Sequence, residues 1–316
     1  MAYIGELAAL TTAVCWSFTS VFFAEAGRRI GSFRVNCIRL LMAVSIYTVI
    51  LYLTTGRLFP ESLNTSQTFW LSVSGIIGLV IGDGFGFKSM VMIGPRLMML
   101  LHATAPIMAT LIAWFLLGEQ LGLLHLLGIA LTVFGVSWVI LERRLNRGNH
   151  FNLDKGHPDS GTMVKGVLLG LGSALGQASG LVLSKYAMLS LGGTVEPMPA
   201  SYIRMVASLI FIWFLAGFRG EIKNNLNAFK DRRALAFVGG GAFFGPFLGV
   251  WMSLVAVRYI EAGIAATLNS LTPIFIIPVV MVMFKEKVSM RAFLGAVVAV
   301  LGVSLLLLGD ALLRLF

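Results

Sequence analysis

Long apolar stretches separated by polar breaks run the length of the chain. A bilayer-spanning helix needs about 20 consecutive, mostly apolar residues. Ten segments meet that requirement: 3–24, 34–54, 68–92, 97–117, 123–141, 165–187, 200–218, 235–257, 262–284 and 292–311. Most connections are short, and two are longer and polar, at 142–164 and 219–234. The apolar runs are continuous rather than alternating at every second residue, which excludes a transmembrane β-barrel. The pattern predicts an all-α membrane protein, a bundle of ten transmembrane helices.

The pattern also repeats. Residues 102–137 align without a gap on 269–304, pairing Pro106 with Pro273, Glu119 with Glu286, Gly128 with Gly295, Gly135 with Gly302 and Ser137 with Ser304. At the same offset Gly78 pairs with Gly245 and Gly82 with Gly249; two residues off that register, Ile38-Arg39 pairs with Ile203-Arg204. A coherent series of this kind points to duplication. The expected organisation is a first five-helix repeat over 1–141, a connection at 142–164, a second repeat over 165–311 and a short tail at 312–316. Because five is odd, the second copy enters the membrane upside down. Such inverted repeats frame midplane substrate sites in secondary transporters and supply two nearly equivalent conformations. The competing explanation is a duplication that only built a stable bundle.

Halves ending in Pro106…Gly118-Glu119…Gly128…Gly135 and Pro273…Lys285-Glu286…Gly295…Gly302, each with an Arg near the start of its second span (Arg39, Arg204), resemble the EamA-type family of the drug/metabolite transporter superfamily. The resemblance covers essentially the whole chain. It implies two five-helix halves around a central cavity and movement of small metabolites by alternating access, and it leaves the substrate open.

Composition agrees with the pattern. The 316 residues are 58% hydrophobic and 12% charged, with a mean hydropathy of +0.89. A soluble domain carries about 25% charged residues, so a soluble globular enzyme and a disordered chain are both excluded. Cys15 and Cys37 lie in apolar runs and are expected to be reduced packing residues. The net charge of +10 reflects topology rather than nucleic-acid binding. Basic residues crowd the odd-numbered connections and the helix ends beside them, whereas the opposite side carries only Arg57, Lys185, Arg204, Arg258 and Arg314. The positive-inside rule then puts the crowded side in the cytosol of a cell (inner) membrane and both termini outside, although members of the resembled family commonly keep theirs inside. The first apolar run has no basic leader and contains Glu6, unlike a cleavable signal peptide.

Five residues are expected to bind substrate: Asp83, His102, Asn269, Gln177 and Trp16. Asp83 sits mid-span between two glycines, where a charge costs at least ~2.5 kcal/mol on insertion scales. It reads either as a partner for a substrate ammonium or a protonation site, or as a structural pair with Arg39, Lys88 or another buried base. His102 and Asn269 are repeat equivalents four residues before Pro106 and Pro273, which are expected to kink the fourth and ninth spans. Trp16 and Gln177 fall near matching places when the first and sixth spans are aligned on Ala13 and Ala174, an aromatic wall and an amide suited to an organic solute. Arg39 and Arg204 are expected to snorkel or tie helix ends, Glu6 to reach the interface, and Glu119 and Glu286 to anchor helix turns. Gly78-Gly82-Gly86, Gly172-Gly176-Gly180 and Gly241-Gly245-Gly249 form small-residue ladders for close helix packing.

No metal-ligand spacing, catalytic triad or phosphate-binding loop is present, so no cofactor and no metal are expected. The leading function is a secondary transporter for a small polar organic metabolite, an amino acid or amine, coupled to protons or a counter-substrate. The partners are then that solute and the lipid bilayer. An integral membrane enzyme or a non-transporting scaffold is the alternative; the first needs an acid/base cluster and the second a large extramembrane domain.

Overall fold

The computed structural model describes residues 3–60, 63–146, 160–275 and 290–313, and among these the regular structure is helical with no strand. The helices are α1 (Ile4–Ile30), α2 (Ser32–Thr55), α3 (Thr65–Gly75), α4 (Asp83–His102), α5 (Ala105–Leu117), α6 (Leu123–Asn146), α7 (Ser160–Leu189), α8 (Pro197–Phe218), α9 (Ile222–Ala228), α10 (Arg232–Ala242), α11 (Val250–Tyr259), α12 (Ala262–Asn269) and α13 (Met290–Leu313). Arg147, Lys155, Pro278, Lys285, Glu286, Lys287 and Arg314 lie outside the described residues, as do the side chains of Arg96, Arg143 and Arg144. Seven helical stretches are long and apolar enough to cross a bilayer, and three shorter apolar ones cover Leu123–Val139, Ala262–Phe275 and Phe293–Leu306. The connection expected at 142–164 is shortened at both ends, because α6 continues to Asn146 and α7 begins at Ser160.

Two π-helical turns, Ile76–Gly82 and Phe243–Gly249, link α3 to α4 and α10 to α11. They occupy the same places at the repeat offset, as do the helices flanking them. Both of those flanking helices start with a side-chain cap. Asn64 Oδ1 accepts from Gln67 N at 2.8 Å while Gln67 Oε1 accepts from Asn64 N at 3.0 Å, and Asp231 Oδ1 accepts from Ala234 N at 2.9 Å. The Asn64 amide also donates to Leu191 O at 2.7 Å. An N-cap is worth about 1 kcal/mol. Asn64→Ala is therefore expected to lower the thermal midpoint of the detergent-solubilised protein by a few degrees, on the order of 2–4 °C per kcal/mol. Asn64→Asp, which keeps the cap but not the Leu191 bond, should recover part of that loss.

The chain forms two compact units, and each draws on both sequence halves. One comprises Met1–Ile81 with Ser179–Ile260, the other Gly82–Ala178 with Glu261–Phe316. In the first, α1 packs along α10, α11 and the π turn between them. Gly245 faces Thr19, whose hydroxyl reaches Gly241 O at 3.4 Å, and Thr12 reaches Gly249 O at 3.3 Å. The repeat-related contact is made by α7, where Gly180 lies on Ser74 and Gly78. Small residues allow this because apolar lipid gives helices no hydrophobic reason to associate, so close backbone packing holds them together.

Helix α2 reaches both π turns. Widening the helix to i→i+5 bonding leaves carbonyls without their usual helical partners. Arg39 donates to Leu79 O at 3.4 Å and to Asn36 Oδ1 at 2.7 Å, with Phe23 under its guanidinium. Tyr47 donates to Phe247 O at 2.7 Å. Snorkelling is thereby overturned for both arginines: Arg39 is 2% exposed and Arg204 4%, and the Arg39 charge is satisfied by carbonyl oxygens inside the protein. Glu6 does not reach the interface either. It is 2% exposed in the first turn of α1, where a carboxylate meets the positive helix end. Both cysteines are free and buried as expected, with the Asn225 amide donating to Cys37 Sγ at 3.4 Å.

In the second unit α6 and α13 cross antiparallel on four glycines. Gly128 lies on Gly302 and Leu306, Gly135 on Gly295 and Ala299, Gly295 on Gly135 and Val139, and Gly302 on Gly128 and Thr132. The contact is reciprocal: each glycine meets the repeat equivalent of the other.

Candidate functional site

The glycine at the α4–α7 crossing decides where Asp83 goes. A Cβ on Gly86 would stand 2.7 Å from Ser173 Oγ, so the two helices can approach only because position 86 carries no side chain. Farther along, Ser89 donates to Gly166 O at 2.8 Å, which fixes an antiparallel register. In that register Asp83, three residues before Gly86, meets Gln177, four residues after Ser173. The Gln177 amide donates to Asp83 Oδ1 at 2.6 Å. Both side chains are half-buried, and Gly84 beside them has open space where a Cβ would be.

Gln177 is thus one hydrogen-bond partner of Asp83. Lys88 is exposed. His102, the last residue of α4, is half-buried. Asn269 ends α12, which packs against α5 and α6, and its buried Oδ1 has no hydrogen-bond partner among the described residues. The structure therefore brings Asp83 and Gln177 together. Trp16 lies on α1 of the other unit, half-buried, with its indole nitrogen 3.3 Å from the place a Cβ on Gly249 would take.

The prolines act differently from the expectation. Pro106 does not kink a continuous helix. It occupies the first turn of α5, after a break at Ala103-Thr104. There its missing N–H has no partner to lose. The Thr104 hydroxyl donates to Leu101 O at 2.6 Å and closes the end of α4. The second copy follows the same plan: α12 stops at Asn269, Ser270 donates to Thr267 O at 2.7 Å, and the helix resumes at Thr272 with Pro273 in its first turn. The backbone of α4 stays helical through 93–96, but the chain folds back there, since Gly86 lies against Met98 and Gly170 against both Ser89 and Leu101, in keeping with the connection expected between the third and fourth spans. The signal for the break was available in the hydroxyl residues just before each proline.

Glu119 is a helix anchor, as expected. Its Oε2 accepts from Ala262 N at 2.9 Å and caps the start of α12. Buried Tyr47 is a residue that reading the sequence missed, and Arg39 was named for other roles, because nothing in the sequence foretold the π turns they serve.

An all-helical chain with this many apolar crossings is a multi-pass membrane protein. It belongs to the EamA-like transporter family, whose model matches residues 3–141 and again 164–308. It is similar to an uncharacterized transporter of Archaeoglobus fulgidus, 25% identical over 307 residues that cover 96% of this chain and 97% of that protein. A solved crystal structure shares the fold with a TM-score of 0.72 at 16% identity, covering 95% of this chain and 94% of that one.

Proposed function

We propose that the protein is a secondary transporter that moves a small polar organic metabolite carrying an amino group, an amino acid or amine, by alternating access. The observation that carries this reading is the Asp83 carboxylate, which directly follows a π turn inside an apolar stretch and accepts from the Gln177 amide. A carboxylate half-buried there binds a cationic solute group or a proton more strongly than it would in water. Asn269, with an acceptor to spare at the end of an interrupted helix, is the second polar contact for the solute. Interrupted helices near a charged group are a recurrent way of exposing backbone polar groups to a solute in transporters.

The architecture proposed is ten spans in two inverted repeats. The reciprocal α6–α13 crossing supports inversion, since copies related by translation would pack in parallel. The matching pairs Gly245 with Thr19 and Gly78 with Gly180 support it as well. Two equivalent halves can exchange roles at little cost in new contacts. The basic connections are assigned to the cytosol and both termini to the outside.

Uptake by proteoliposomes, screened against amino acids, amines and neutral sugars with and without a pH gradient, tests the proposal. Saturable uptake confined to solutes bearing an amino group is the expected outcome. Preference for sugars or anions, or no carrier activity for any of them, would overturn it.

A further inference from the structure

At the junction of α1 and α2 the first unit holds a polar cavity of about 250 Å³, lined by Arg29, Ile30, Arg34, Asn224, Asn227, Ala228 and Asp231. Its chemistry is that of an anion site. A guanidinium carries five N–H donors, and these two arginines spend few of them on the protein. Arg29 hydrogen-bonds Glu25 Oε1 through Nε at 3.3 Å and approaches Asp231 only at 3.9 Å. Arg34 hydrogen-bonds Ile30 O through Nη1 at 3.2 Å and approaches Glu221 only at 3.9 Å. The arginines line the cavity together with the exposed Asn227 and Asn224, whose amide also donates to Glu221 Oε2 at 2.8 Å. The carboxylates of Glu25, Glu221 and Asp231 keep the arginines in place without saturating them.

The surroundings say where the anion comes from. Helix α9 carries Asn224 and Asn227, and on the same short helix Ile222 and Leu226, four residues apart, are exposed beside exposed Phe218 of α8. A helix with exposed apolar residues next to a polar, basic hollow at the ends of membrane spans lies at the level of lipid headgroups. Buried Asn225 and Ala228 hold it down on the bundle. We infer that this cavity binds the phosphodiester headgroup of an anionic phospholipid, with Arg29 and Arg34 as the phosphate donors and Asn224 and Asn227 as supporting amides. The acyl chains then lie along Phe218, Ile222 and Leu226. The site is separate from the solute site and does not depend on the transport reading.

The test measures binding of fluorescently labelled phosphatidylglycerol to the full-length protein in detergent micelles, in competition with phosphatidylcholine, unlabelled phosphatidylglycerol and inorganic phosphate. A basic residue at the membrane surface contributes on the order of five-fold in affinity for anionic lipid. Phosphatidylglycerol should therefore bind at least about five-fold tighter than phosphatidylcholine. Arg34→Gln should erase most of this preference. Asn227→Asp, which leaves both arginines in place and puts a negative charge on the rim at an exposed position, should erase it too. Equal binding of the two lipids, or a preference surviving both substitutions, would overturn the inference. So would inorganic phosphate binding as tightly as the labelled lipid, since the ligand would then be a free anion.

Discussion

Replacing Asp83 by asparagine is expected to reduce kcat/KM for the transported solute about 10- to 100-fold while leaving the protein folded. The substitution is close to isosteric, and the asparagine Oδ1 still accepts the Gln177 amide, so the α4–α7 contact survives. Only the charge disappears. Hydrogen bonds to a charged group contribute roughly 1.5–3 kcal/mol, which converts to that range of rate or affinity. The thermal midpoint should change little, because the substitution keeps the side chain's shape and its bond from Gln177. Gln177→Leu distinguishes a solute contact from a structural one: it leaves the charge in place but frees the carboxylate to move, so KM should rise while uptake still occurs. Full activity of the Asp83→Asn protein with an unaltered pH profile would remove Asp83 from the transport cycle and leave the α4–α7 pair as packing alone.

A second large effect is expected at the α6–α13 crossing. Gly135→Ala and Gly302→Ala each put a methyl group where backbone atoms of the other helix already stand. No side-chain rotation can relieve such a clash, so the helices must separate. Overpacking of this kind costs about 1–3 kcal/mol, a fall on the order of 2–10 °C in thermal midpoint. The reciprocal geometry makes a sharper statement: the two substitutions should have similar effects. Gly27→Ala is the control, since the added methyl meets nothing within 4 Å. Its effect should be neutral or favourable, alanine being the better helix former. A tolerated Gly135→Ala would mean that the crossing is looser than the contacts imply.

The sequence read well wherever one physical rule governed. Span positions followed from the length of apolar runs, because a bilayer imposes one thickness on every crossing. The close contacts of Gly86, Gly180 and Gly245 followed from small-residue spacing, whereas Gly128, Gly135, Gly295 and Gly302 stood out only as repeat equivalents and their crossing was not foreseen. Asp83 was conspicuous because a carboxylate in an apolar run demands an explanation. What could not be read were the features set by tertiary partners. The π turns lie in ordinary apolar sequence, and only the carbonyls they release, with Arg39 and Tyr47 to receive them, reveal why they persist. Arg39 and Arg204 stand near predicted span ends, a position compatible with snorkelling until the neighbours are known. Pro106 and Pro273 were correctly singled out, yet kink and break have the same proline signature; the Thr104 hydroxyl bond to Leu101 tips the balance toward a break. Gln177 was named for its amide, but its pairing with Asp83 required the helix register.

Helix α2 touches both widened turns, Arg39 at Leu79 and Tyr47 at Phe247. Any axial slide or rotation of that one rod would strain or relax the two loosened coils together, so their motions share a single mechanical linkage. Mutational tuning of one coil through α2 would carry over to its counterpart in the other half of the chain.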